Sequence, residues 1–310
     1  MHPSGQAFGQ RQRARLLLRA SVTALVTALL LGAFVPLALG KTARKAPSLA
    51  AYRGLGSWVD IYDKPVWTNP DVVVKDMASH GVRTLYIETG NSKSKTAIFN
   101  PKAQSAFIRA AHARGIKVVA WYLPSLKHVT SDYKRIAAAI AFKTSGGQRF
   151  DSFALDIESS AVKSERTRNH RLKALSAKIR KHVGRSYPLG AIIPSPVALA
   201  KKKGYWNTFP YASVAKTYNV LVPMGYYTYH GKGAAAASAD ALGNVRILHS
   251  RPGCARVPVH LIGGIAENST AAQVAAFAKA TQKAGCIGAS LYGWMGTTAA
   301  DWKALHAIKG

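Results

Sequence analysis

Two carboxylates, Asp156 and Glu158, stand two residues apart in the run Phe150 to Ser159, FDSFALDIES. Alternation puts Phe153, Leu155 and Ile157 on one side of a strand and Ala154, Asp156 and Glu158 on the other. Acids at that spacing lie roughly 6 to 7 Å apart at Cα, close enough to share one substrate and to perturb each other's proton affinity. Proton transfer to a bound molecule is the chemistry this pair suits.

The elements around the pair follow a repeating pattern. From Arg53 onward short apolar strands alternate with helical stretches, the signature of a parallel sheet built from βα units. Strands are expected at Gly54 to Tyr62, Arg83 to Thr89, Lys117 to Leu123, Phe150 to Ser159, Leu189 to Pro194, Val220 to Tyr227, Val257 to Ile265 and Ile287 to Trp294. Helices open at Asn69-Pro70, Asn100-Pro101 and Ser131-Asp132, and further ones cover Lys163 to Val183, Ala234 to Leu248, Thr270 to Lys283 after the cap Ser269, and Ala299 to Ile308. A longer excursion after the fifth strand, with Lys201 to Gly204, Tyr205, Trp206 and Pro210, is expected to overhang the site. Eight strands with eight helices in about 260 residues is the arithmetic of a single (β/α)8 barrel. An open doubly wound sheet is the alternative, but no Gly-rich phosphate fingerprint follows the first strand.

In such a barrel the chemistry sits at the C-terminal ends of the strands. Alternation turns Trp58, Asp60 and Tyr62 inward on the first strand and Tyr86 and Glu88 on the second. Met224 and Tyr226 follow on the sixth, and Ser290, Tyr292 and Trp294 on the eighth. The chain has only 13 acids against 43 Lys and Arg, yet Asp60, Glu88, Asp156, Glu158 and Glu267 all fall at upper strand ends. A mouth lined by carboxylates, Tyr and Trp is what a saccharide site needs: acids to protonate and stabilise, flat rings to face sugars.

The first forty residues differ in kind. Arg11, Arg13, Arg15 and Arg19 precede an uncharged, mostly apolar run from Ala20 to Gly40, which reads as a signal peptide or an uncleaved signal anchor. The domain reading is therefore an export segment at 1–40, a basic linker at 41–52 and the barrel at 53–310, with the barrel extracytoplasmic, secreted or anchored to the membrane only through that segment. Formal charge is +30, and the export segment holds only four of the basic residues, so the exported part is strongly cationic. Anionic cell-envelope polymers are the expected partners of such a surface. Nucleic acid is not expected, because the Lys/Arg clusters are short and lack regularly spaced aromatics. Cys254 and Cys286 are the only cysteines, and an oxidising compartment predicts a disulfide between them at the bottom rim. Scattered histidines give no metal-ligand pattern, so no cofactor or metal is expected, and a single barrel of this kind is expected to act as a monomer.

The run Asp151 to Glu158 resembles the fourth-strand signature of family 18 glycoside hydrolases, chitinases and their relatives, with acids at its first, fourth, sixth and eighth places. Asp151, Asp156 and Glu158 match, while the fourth place is Ala154. Met224-Gly225-Tyr226 resembles that family's Met-x-Tyr, followed here by Tyr227 in place of Asp, and Trp294 is similar to its sugar-stacking Trp. The resemblance implies a divergent secreted glycosidase in which Glu158 is the general acid, Asp156 orients a 2-acetamido group acting as internal nucleophile, and Tyr226 hydrogen-bonds that group. Trp58, Asp60, Tyr86, Glu88, Met224, Tyr292 and Trp294 would bind the polysaccharide, a cell-wall or chitin-like one. Asp60 or Glu88 as a second catalytic carboxylate remains open, as does a catalytically inactive carbohydrate- or envelope-binding barrel, which Ala154 and Tyr227 favour.

Overall fold

The computed structural model describes residues 46–201 and 205–309. The export segment and most of the expected linker lie outside the described residues. Eight parallel strands close into a barrel in sequential order: β1 Gly54–Val59, β2 Thr84–Asn91, β3 Lys117–Leu123, β4 Ser152–Asp156, β5 Leu189–Pro194, β6 Val220–Met224, β7 His260–Ile265 and β8 Gly288–Tyr292. The seam is the β1–β8 pairing, Gly54 opposite Gly288 through Gly56 opposite Ser290.

Outside the sheet lie α1 Pro70–Ser79, α2 Pro101–Ala113, α3 Val129–Ala141, α4 Glu165–Val183, α5 Pro196–Lys201, α6 Tyr211–Thr217, α7 Gly233–His249, α8 Ala271–Lys283 and α9 Ala299–Leu305. Local chemistry explains their ends. Asn100 accepts from the Ala103 N–H ahead of Pro101 at the start of α2, which stops before Gly115 at φ 71°. At α8 the cap is Thr270, one residue beyond the expected Ser269, because Thr270 and Gln273 form a reciprocal capping box. Ser269 instead donates to the Ile265 carbonyl. No helix among the described residues is long and apolar enough to cross a membrane.

Apolar side chains divide into two layers. Outward residues such as Val59, Leu85, Ile87, Phe153 and Leu155 pack between sheet and helices. A smaller inner cluster, including Trp58, Tyr86, Val119, Trp121, Ala154 and Val222, fills the barrel. Tyr52 closes its bottom: fully buried, its hydroxyl meets Ser152 Oγ at 2.7 Å and donates to the Phe153 carbonyl at 3.1 Å. Gly190 makes the room, since a Cβ there would stand 2.6 Å from the Tyr52 hydroxyl. Ala50–Tyr52, expected as linker, therefore pack with the barrel.

Two further expectations, on the sixth strand and on the cysteines, need correction. The sixth strand stops at Met224 rather than Tyr227, because Tyr226 adopts a left-handed φ of 45° and turns the chain. Tyr227 is carried to the outer layer, against Phe277 and Ser269. The cysteines form no disulfide; both thiols are free. Cys254 is buried in the turn after α7, its Sγ toward the carbonyls of Tyr211 and Pro252, while Cys286 follows α8 and its N–H bonds the Thr281 carbonyl. Entry to the last two strands does not bring the side chains together.

Candidate active site

At the C-terminal end of the barrel a cavity of about 170 Å³ is walled by Asp60, Glu88, Asp156 and Glu158, with Trp58, Trp121, Tyr226 and Tyr292 as its aromatic surfaces. No Lys or Arg lines it among the described residues.

Asp156 ends β4 and is only 6% exposed, and its Oδ1 has no hydrogen-bond partner among the described residues. The inward neighbour below it on the same face is Ala154, buried against the inner cluster and without a polar atom to offer. Burial, then the charges of Glu158 and Glu88, hold the Asp156 carboxyl well above the usual range. Burial also raises Glu158. Two neighbouring acids that both resist ionisation titrate as a pair, so a proton is retained there at a pH where an exposed carboxyl has lost it.

The remaining acids are already engaged. Glu88 Oε2 accepts from the Ile61 N–H at 3.1 Å and Oε1 from Asn91 Nδ2 at 3.2 Å. Burial, opposed by the Ile61 bond and aided by the charge of Asp60, pushes Glu88 up to about 7. Asp60 Oδ1 accepts from the N–H groups of Tyr62 and Asp63, and its Oδ2 from the Tyr292 hydroxyl at 2.9 Å. Asp151, the first acid of the signature, lies at the opposite end of β4, where it takes His112, Lys117 and the Val118 N–H. Burial works against its charge, but those bonds outweigh it and lower its pKa.

The floor is Trp58, stacked on Tyr86 with centroids 4.1 Å apart and 8° between planes. Trp58 Nε1 donates to Ser290 Oγ at 2.8 Å, and Ser290 meets His260 Nε2 at 3.1 Å. His260 Nδ1 lies 2.9 Å from the Tyr52 carbonyl, which fixes its proton on Nδ1 and leaves Nε2 to accept from Ser290. Burial holds this His down to about 4, so it is neutral. Tyr86 itself is fully buried beneath Trp58 and does not line the cavity. Trp294 is also displaced from its expected place: β8 ends at Tyr292, and the Trp294 indole turns out to donate to Asp76 on α1. Glu267 is exposed beyond β7, outside the cavity.

Tyr226 is partly buried, its ring 6.1 Å from that of Tyr292, and burial with the charges of Asp156 and Glu158 raises its hydroxyl well above its ordinary value. Met224 is buried at the same wall. Sequence reasoning missed two contributors, Trp121 and Asn91, and placed a third, Tyr205, in the excursion expected to overhang the site. Trp121 lies inward on β3 with its indole N–H unpartnered among the described residues, and the alternation of that strand points to it. Asn91 enters through a register shift at Glu88 and Gly90 that no pattern announces. Tyr205, in the excursion after β5, donates to the Glu158 carbonyl at 2.8 Å.

No protein-family model and no curated protein matches the sequence. Solved structures do match the fold. A class V chitinase mutant from Cycas revoluta in complex with (GlcNAc)3 aligns over 82% of this chain and 98% of its own, with 11% identity and a TM-score of 0.59. An endo-1,4-beta-mannanase from Rhizomucor miehei aligns over 80% and 89%, with 10% identity and a TM-score of 0.59. The spore cortex-lytic enzyme SleL of Bacillus cereus aligns over 82% and 74%, with 9% identity and a TM-score of 0.62. The chain thus has the (β/α)8 fold of these glycoside hydrolases, at a sequence distance where only the fold is shared in common measure.

Proposed function

We propose that this protein is an exported glycoside hydrolase that cleaves an N-acetylated polysaccharide, with Glu158 as its general acid. The observation that carries the reading is the Asp156–Glu158 pair at the end of β4: two proton-retaining carboxyls in an aromatic-walled cavity whose charged lining among the described residues is acidic, one with a buried oxygen that no described residue satisfies. A polar substrate group is the partner such an oxygen awaits. The fold shared with chitinases, a mannanase and a cortex-lytic enzyme supports it. The apolar run Ala20 to Gly40 behind four Arg supports export.

In this reading Glu158 gives its proton to the glycosidic oxygen as the bond to the anomeric carbon breaks, and the leaving sugar departs with that proton. The acetamido oxygen of the retained sugar closes on the anomeric carbon, its positive charge held by Asp156 and its geometry by Tyr226. Water then opens the ring intermediate, giving its proton to Glu158. Backbone and side-chain donors already engage Asp60 and Glu88, which supports Asp156 over either of them in the second role.

The test is release of new reducing ends by the full chain from chitin oligomers, mannan and peptidoglycan, beside Glu158→Gln. Release that the variant lacks supports the reading. Binding of a polymer by both proteins with release by neither replaces it with a non-catalytic glycan-binding barrel, the reading that Ala154 and Tyr227 favour.

A further inference from the structure

Beyond Glu158 a second, wider chamber of about 460 Å³ opens from the same wall, sharing Glu158, Met224 and Tyr226 with the acid cavity. Its chemistry is the reverse. Glu158 is its single acid, while Lys201 and His230 bring cationic or proton-donating nitrogen to its rim, with Tyr205 and Tyr229 as flat surfaces. Tyr229 is 68% exposed and its ring stands edge-on to Tyr226, 6.0 Å away, as a platform at the outer lip.

His230 is held rather than loose. Its Nδ1 meets Asp240 Oδ1 at 2.7 Å, and the side chain of Asp240 is 5% exposed. Asp240 Oδ2 accepts from Asn244 Nδ2 at 2.8 Å, and Asn244 Oδ1 accepts from Ser195 Oγ at 2.7 Å and from the Val197 N–H. This buried network runs from β5 through α7 and fixes the ring so that Nε2, which has no protein partner among the described residues, is the edge left for a ligand. Asp240 takes the Nδ1 side, so Nε2 is the edge that meets a ligand: it accepts from a hydroxyl in the neutral ring and donates to an anion when the ring carries both protons, with Asp240 facing the added charge. Lys201 likewise makes no ion pair among the described residues.

We propose that this chamber binds the sugar on the leaving-group side of the scissile bond and selects one bearing an anionic substituent, through Lys201 and the His230 edge. The inference rests on the glycosidase reading for its direction along the chain: the acid cavity, lined by four carboxyls, takes the neutral N-acetylated sugar, and Glu158 stands between the two. The substrate class is a heteropolysaccharide alternating neutral and anionic units, or carrying anionic branches, rather than a uniform neutral polymer. It is consistent with the excess of Lys and Arg over acids in the whole chain.

Binding is measured by calorimetry on the full chain carrying Glu158→Gln, so that cleavage does not enter. Three probes are compared: N-acetylglucosamine oligomers, glycan strands of peptidoglycan with their lactyl carboxylates, and a glycan bearing phosphodiester groups. The expected result is tighter binding of an anionic strand than of the neutral oligomer, with Lys201→Gln and His230→Gln each weakening the anionic complex about three- to tenfold and leaving the neutral one unchanged. Which anionic probe is preferred separates carboxylate from phosphate. Lys201 is exposed, so its substitution reads the contact even if His230→Gln disturbs Asp240. Equal losses on neutral and anionic probes, or none on either, overturn the proposal while leaving the glycosidase intact. Selective anionic binding without release of reducing ends by wild type retains the chamber and removes the catalytic reading. No binding to any probe removes both.

Discussion

The hydroxyl of Tyr292, last residue of β8, donates to Asp60 Oδ2 just beyond β1 at 2.9 Å, so the closing seam of the barrel is tied at the lip of the cavity. With Oδ1 occupied by two backbone N–H groups, Asp60 is a brace. Tyr292→Phe should raise KM about three- to tenfold with little change in kcat, the signature of lost positioning rather than lost chemistry. Combining it with Asp60→Asn should add almost nothing further; full additivity in that double-mutant cycle would show that the bond has no part in binding.

Asp156→Asn keeps the shape of the pair and removes one of its protons. Wild type should lose activity at high pH over a broad range, because two neighbouring carboxyls release their protons in overlapping steps. In the variant the limb should narrow to a single ionisation at lower pH, with kcat down about 10²- to 10³-fold. A pH profile of kcat/KM unchanged in position would mean that Asp156 does not govern the proton on Glu158.

Glu88, only 2% exposed, and Asp63 are pushed up to about 7 and about 6, burial being the first cause in each. The folded chain therefore binds these protons more tightly than the unfolded chain. Their contribution to stability is full below the ordinary carboxylate range and is lost as pH rises through about 6 to 7. Urea midpoints should fall between about pH 5 and about pH 8, and Glu88→Gln should recover on the order of 3 kcal/mol at the upper end. Below that range the trend reverses, since Asp151, with its lowered pKa, loses its bonds to His112 and Lys117 as it protonates.

Ser290 serves two buried partners at once, Trp58 and His260. Ser290→Ala should destabilise by about 1–3 kcal/mol for each group left unsatisfied. The loss should be visible in Trp fluorescence as well as in thermal melting, because the stack of Trp58 on Tyr86 is what that hydroxyl holds in register.

The free thiols make a prediction of their own. Burial raises Cys254 to about 11 and Cys286 to about 12, so neither is a ready thiolate. Melting temperature should be the same with and without reductant, and two thiols should titrate once the chain is denatured in the absence of reductant. A midpoint that drops on reduction would contradict the unbridged geometry.

Much of this architecture is legible in the residues. β3 and β5 run over Lys117–Leu123 and Leu189–Pro194, the limits their apolar runs suggest, and the inward faces of β1, β2 and β4 follow from alternation. Alternation fails where the strand ends, and that point is set by tertiary contacts. Tyr226 leaves β6 through a left-handed turn where Gly225 passes against the Ile262 carbonyl, and Trp294 lies past the end of β8. The Asp240–His230 pair was hidden for another reason: its partners are ten residues apart on a loop and a helix, a relation that no strand or helix period encodes. The cysteines misled because shared position along two strands says nothing about where side chains of the preceding turns point.

The pairing of Gly54 with Gly288 joins the first strand to the last, so no partial chain can complete the hydrogen-bond circuit. Until β8 has been synthesised, the edges of β1 and β7 stay open and the interior around Trp58 lacks Ser290 and Tyr292. Closure of this kind is a late, high-contact-order event. For a chain proposed to cross a membrane before it works, that delay is useful: the polypeptide remains threadable while it is being made, and the active site assembles only when the final strand arrives.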